Sequence, residues 1–166
     1  MQFAQIIPIF AGMLIFLDID GVMLPLKGWS NPELLDDGFP AFNAKAVSVL
    51  QSLITEDTTV LLTTSHKSRF TIEEWKRIFC RRGLEVTKLD TLEENETFLS
   101  RKDEVLNWFN LNTYNDDFVI IDDDKSLNGL PVFLKDKLVL TKPMIGLTES
   151  HLDEIKIALN RKLELA

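Results

Sequence analysis

Short apolar runs alternate along the chain with segments whose apolar residues recur every three or four positions. Residues 13–19 are a near-continuous apolar run that ends in acid, the pattern of a strand covered on both faces. Residues 58–62 and 118–121 repeat it, and 85–89, 132–134 and 138–140 are shorter strand candidates. Between them, residues 42–54 place Phe42, Ala46, Val49, Leu50 and Leu53 at helical spacing. A second helix over 71–82 buries Ile72, Trp75, Ile78 and Phe79, with Gly83 suited to its C-terminal cap. Ser100, with Asp103 three positions on, caps a third helix whose apolar face is Val105, Leu106, Trp108 and Phe109. Thr148 begins a last helix reaching about residue 163.

This alternation predicts an α/β fold, a mostly parallel sheet with helices on both faces, because parallel strands need crossover connections. No internal repeat or linker divides residues 13–166, which read as one domain. Residues 1–12 read as an arm or strand extension in front of it. The segment 20–40 carries Gly21, Pro25, Gly28, Pro32, Gly38 and Pro40 and reads as an irregular excursion. Its Trp29 is a candidate stacking platform, although anchoring the loop is the more ordinary role.

Sheets of this type place ligands beyond the carboxyl ends of their strands. Three polar clusters fall at such ends: Asp18 and Asp20, then Thr63, Thr64 and Ser65, then Asp122, Asp123 and Asp124. Two aspartates two residues apart repel each other unless a cation lies between them or one keeps its proton. Magnesium takes such oxygen ligands together with phosphate oxygens. An aspartate pair can also divide the labour of nucleophile and general acid. Hydroxyls after a strand commonly cap a turn, and here they can equally bond a phosphate oxygen. Lys102 sits in the first turn of its helix, where a cation opposes the helix dipole; that placement hints at a phosphate contact, although an exposed surface lysine is the more ordinary role.

Composition narrows the picture. The net charge of −8 disfavours broad binding of nucleic acid. One local basic group, Lys76, Arg77, Arg81, Arg82 and Lys88, reads better as a solvated helix face than as a binding patch. The lone Cys80 excludes an internal disulfide and fits a reducing compartment. The apolar residues 1–12 lack a positive start and are interrupted by Pro8, so the chain is expected to be cytoplasmic and free of membrane.

Taken in order, Leu14-Ile-Phe-Leu-Asp-Ile-Asp-Gly-Val22, Val60-Leu-Leu-Thr-Thr-Ser65, Lys102 and Val119-Ile-Ile-Asp-Asp-Asp124 resemble the four motifs of the haloacid dehalogenase (HAD) superfamily. Within it, the acidic triplet and the ending Leu140-Thr-Lys-Pro-Met-Ile-Gly-Leu-Thr148 most resemble the HAD-like domain of Swiss-army-knife RNA repair proteins. That family often carries Trp where this chain has His66. The resemblance implies a Rossmann-like three-layer sandwich and a magnesium-dependent phosphatase working through an aspartyl-phosphate. Asp18 would be the nucleophile and Asp20 the general acid/base. Thr63 (or Thr64, if the register slips) and Lys102, with Arg101 as the fallback, would hold the phosphoryl oxygens. Asp18, Asp20 through its carbonyl, Asp122 and Asp123 would bind Mg²⁺, with Asp124 an alternative support.

Asp20 distinguishes phosphoester chemistry from the dehalogenase and phosphonatase branches, which lack it. About 45 residues separate the first two motifs and about 38 lie between Thr63 and Lys102, too few for a folded cap domain. An uncapped site suits a large phosphorylated substrate, such as a nucleic-acid end. The competing readings are a catalytically weak binding or partner domain and a phosphotransferase.

Overall fold

A computed structural model of the chain describes residues 12–26, 32–114 and 116–160. Of the expected arm 1–12 all but Gly12 lies outside them, as do Trp29 and residues 161–163 of the expected last helix. Five strands form one sheet: β1 (Leu14–Leu17), β2 (Thr59–Leu62), β3 (Lys88–Thr91), β4 (Phe118–Asp122) and β5 (Leu138–Leu140). Every pairing is parallel, and the order is β3-β2-β1-β4-β5. β1 is central, with Leu14 aligned on Thr59 of one neighbour and Phe118 of the other.

Burial on both faces explains the unbroken apolar runs. Ile15 and Leu17 point into a core with Val60, Leu62, Val119 and Ile121, covered by α1 (Ala44–Leu53), α2 (Ile72–Arg81) and α5 (Leu152–Asn160). Leu14 and Phe16 point the other way, into a second core with Leu61, Phe118 and Ile120. That face is covered by Val105 and Trp108 of α3 (Arg101–Leu111) and by Leu134 of α4 (Val132–Lys135). The Phe16 ring lies 5.1 Å from Trp108 and 5.3 Å from Phe109, centre to centre.

The helices start where capping side chains satisfy free N–H groups. Asn43 accepts from Lys45 N, Ser100 from Asp103 N, and Thr71 and Glu74 form a reciprocal capping box. Gly83 follows α2 with φ of +84°, as a C-terminal cap requires.

Two expectations change. Residues 132–134 are helical: the N–H groups of Leu134 and Lys135 both bond the carbonyl of Pro131, and Val132 and Phe133 face solvent rather than a neighbouring strand. The third strand starts three residues later than expected and ends two later, since Lys88 is the residue that pairs with Thr59. No described helix is long and apolar enough to cross a membrane.

The excursion 20–40 holds two isolated bridges, Asp20 with Leu24 and Leu34 with Pro40, and no cap-sized unit among its described residues. Arg82 fastens it to α2. Its guanidinium bonds both oxygens of Asp37 (2.6 and 3.0 Å) and the carbonyls of Ile78, Phe39 and Pro40, using all five donors. Arg81 pairs with Asp36 at 2.7 Å and Lys76 with Glu73 at 3.7 Å, so much of the basic group is neutralised within the fold.

Arg82→Ala should therefore destabilise the protein by about 3 kcal/mol or more, read by denaturant titration, because it leaves Asp37 and three carbonyls without their donor. Arg82 holds the Asp37 carboxyl below its ordinary value of 3.8, so this stabilisation is present above that pH and fades as the pH falls through the lowered value.

Candidate metal and phosphoryl site

The strand order reverses at β1, and the crevice beyond β1, β2 and β4 is where three of the sequence clusters meet. Asp18 follows β1 directly and is 4% exposed; Asp122 closes β4 and is fully buried. Asp18, Asp122 and Asp123 each bring a carboxylate oxygen within 4.8 Å of the others. Asp124 is turned away, capping the 3-10 turn Lys125–Gly129 through Ser126 N.

Backbone amides and one cation compensate part of this charge. Asp18 Oδ1 accepts from Ile19 N, and Asp122 Oδ1 accepts from the N–H groups of Asp123 and Asp124. The other Asp122 oxygen receives Arg101 Nη1 at 2.7 Å and the Thr63 hydroxyl at 3.2 Å. Arg101 Nη1 also bonds Thr63 Oγ1 at 3.1 Å and lies 3.5 Å from Asp18 Oδ1.

Arg101 is thus the cation that reaches the acids. Lys102, one residue on, runs its side chain over Gly129, and its backbone N–H bonds the Ser126 hydroxyl. The phase of α3 decides between them. Arg101 lies on the same face as Glu104, Val105 and Trp108, at spacings of three, four and seven, and that face turns inward.

A similar one-residue distinction separates the two threonines. Thr63 meets Asp122, while the Thr64 hydroxyl accepts from His66 N inside the turn after β2. The Asp20 carboxylate stands apart from the triad, bonded to His66 Nε2 at 2.7 Å. His66 rests edge-on against Phe39, the ring whose own carbonyl is gripped by Arg82. Gly21 allows the close approach of the two acidic loops. Its φ is +78°, and a Cβ there would stand 2.0 Å from Asp123 Oδ2.

Burial pushes the Asp18 carboxyl up to about 9, reinforced by the charge of Asp122 and only partly offset by Arg101. A hydrogen bond with Asp123 adds to the rise at Asp18. Asp123 is raised as well, chiefly by burial. Three crowded carboxyl groups facing one guanidinium supply hard oxygen donors and more negative charge than the protein balances, which fits a divalent cation.

Fold and site together define an α/β protein of the HAD-like class. The family model described as the HAD domain in Swiss Army Knife RNA repair proteins matches residues 14–152, and the chain belongs to that family. No curated protein and no solved structure matches it significantly. Membership points to phosphohydrolase-type chemistry, in a superfamily that generally uses Mg²⁺.

A raised carboxyl in the fold means that the Asp18 contribution to metal-free stability is greatest below the unfolded value of 3.8 and is lost as pH rises towards about 9. Asp18→Asn should accordingly raise the metal-free Tm at pH 8, by about 2–4 °C for each kcal/mol of strain relieved. Mg²⁺ should stabilise the wild type more at pH 8 than at pH 5, and stabilise Asp18→Asn less, as read by thermal melts with and without the ion.

Proposed function

We propose that the chain is a Mg²⁺-dependent phosphohydrolase in which Asp18 is the nucleophile. The observation that carries this reading is the convergence of Asp18, Thr63, Arg101 and Asp122 from four separate elements on one crevice. Asp18, Asp122 and Asp123 would hold Mg²⁺, with the Asp20 carbonyl as a further ligand. Bound there, the ion supplies positive charge against the phosphoryl oxygens and favours ionised Asp18.

In this reading Asp18 and Asp20 divide the two steps between them. The Asp18 carboxylate attacks phosphorus, the bond to the leaving oxygen breaks, and Asp20 gives that oxygen its proton. Ionised Asp20 next takes a proton from water, which attacks the aspartyl-phosphate; the bond from phosphorus to Asp18 breaks and phosphate leaves. Arg101 Nη1 and the Thr63 hydroxyl would hold the phosphoryl oxygens; the sequence favoured Lys102 for this with Arg101 as the fallback, and the Arg101 contacts to Thr63 and Asp122 support the fallback. His66 keeps Asp20 oriented through its 2.7 Å hydrogen bond.

The substrate is a phosphomonoester, and the uncapped excursion suits one carried on a large molecule. A nucleic-acid end fits through its terminal phosphate alone, because the chain is acidic and Arg81 and Arg82 are committed to Asp36 and Asp37. The alternative of a binding domain without turnover would leave the same residues in place.

Asp18→Asn should lower Mg²⁺-dependent hydrolysis of an aryl phosphate by about a thousandfold or more, since the group that forms the covalent intermediate is lost. Equal rates in the two proteins would remove Asp18 as nucleophile. Metal binding without turnover of any phosphoester would favour the binding domain. On a phosphorylated oligonucleotide, contact limited to the terminal phosphate predicts a KM that changes less than about tenfold between 50 and 200 mM salt.

A further inference from the structure

Behind Arg101 lies a second ion pair that the proposed chemistry does not use. Lys67, in the 3-10 turn Lys67–Arg69 after β2, is 4% exposed and donates to Glu104 Oε2 at 2.8 Å. The Glu104 side chain is itself only 9% exposed. Its other oxygen, Oε1, stands 3.5 Å from Arg101 Nε. That Nε is a buried side-chain nitrogen with no hydrogen-bond partner among the described residues. The guanidinium is therefore bounded on two edges, with Nη1 on Thr63, Asp122 and Asp18 and Nε against Glu104.

The two edges do different things. The Nη1 contacts place positive charge among the acids, but a long flexible side chain can satisfy them in more than one orientation. A fixed anion on the Nε side selects one. A buried glutamate alone would be an uncompensated charge, and Lys67 removes that penalty. Arg101 and Glu104 are three residues apart on α3, whose phase Ser100 fixes from the N-cap.

We propose that Glu104, charge-balanced by Lys67, is a positioning residue that holds the Arg101 guanidinium with Nη1 turned to the acid cluster. Its catalytic consequence rests on the hydrolase reading above; the positioning itself does not. Glu104 lies outside the group formed by Asp18, Asp122 and Asp123 and acts through Arg101.

The test follows the Arg101 Nε–H resonance in the ¹⁵N-labelled full chain, assigned by its loss in Arg101→Lys. In Glu104→Gln its exchange with solvent should speed up roughly tenfold while the backbone amide spectrum is retained, and Glu104→Asp should fall between. An unchanged Arg101 signal in folded Glu104→Gln overturns the proposal, whether or not the chain hydrolyses a phosphoester. Lys67→Met reads the same signal should Glu104→Gln not fold. With aryl phosphate, Glu104→Gln should lower kcat about tenfold, and lower it no further in an Arg101→Ala background. Losses that multiply in the double variant mean an independent structural role and overturn the proposal. A wild type without turnover removes the hydrolase reading and leaves the resonance to decide.

Discussion

Everything at the strand ends depends on keeping three carboxyl groups together, two of them buried away from water and the third half-buried. Asp122 is fully buried and Asp18 nearly so, and their like charges meet in a crevice walled by apolar strands. Such a cluster survives only if its charge is answered locally or its protons are retained. Backbone amides and Arg101 answer Asp122, while burial raises the Asp18 carboxyl. A divalent cation would complete the compensation and favour ionised Asp18, which would couple metal binding to that ionisation.

The fold provides that crevice at little risk to itself. Because β1 is paired on both sides and covered on both faces, its end is fixed in position, and Asp18 inherits that rigidity. β2 and β4 flank it in parallel, so Thr63 and Asp122 emerge at the same level. The acidic loops then have to approach more closely than side chains normally permit, and Gly21 removes the obstacle opposite Asp123. The excursion beyond Gly21 contributes Phe39 and, through it, the setting of His66 and Asp20; Arg82 is the bolt that holds it.

The strand-end residues were legible because a strand buried on both faces announces itself as an apolar run, and the polar residue that follows it must lie at the sheet's edge. Asp18, Thr63 and Asp122 come directly from that logic. Runs of three apolar residues carry no usable period, so 132–134 could be read as a strand although Pro131 starts a helical turn there. The sequence favoured Lys102 with Arg101 as the fallback, and the two differ by a rotation of about 100° on α3. The structure turns Arg101, on the face shared with Glu104, Val105 and Trp108, towards the acids. The Lys67–Glu104 pair was illegible, because nothing local links residues 37 positions apart before the sheet brings their elements together.

That an arginine occupies the position has consequences of its own. A lysine brings a point charge that rotates freely and needs no particular orientation. A guanidinium is a plane with two edges: here one Nη1 spans Thr63, Asp122 and Asp18, and the Nε edge must face something. In a buried setting that second edge demands an anion, and the anion in turn demands a cation. Glu104 and Lys67 follow from the choice of arginine in that order. The chain of opposite charges from Asp122 through Arg101 and Glu104 to Lys67 is thus one electrostatic unit, and a change at its buried far end would be felt at the guanidinium among the acids.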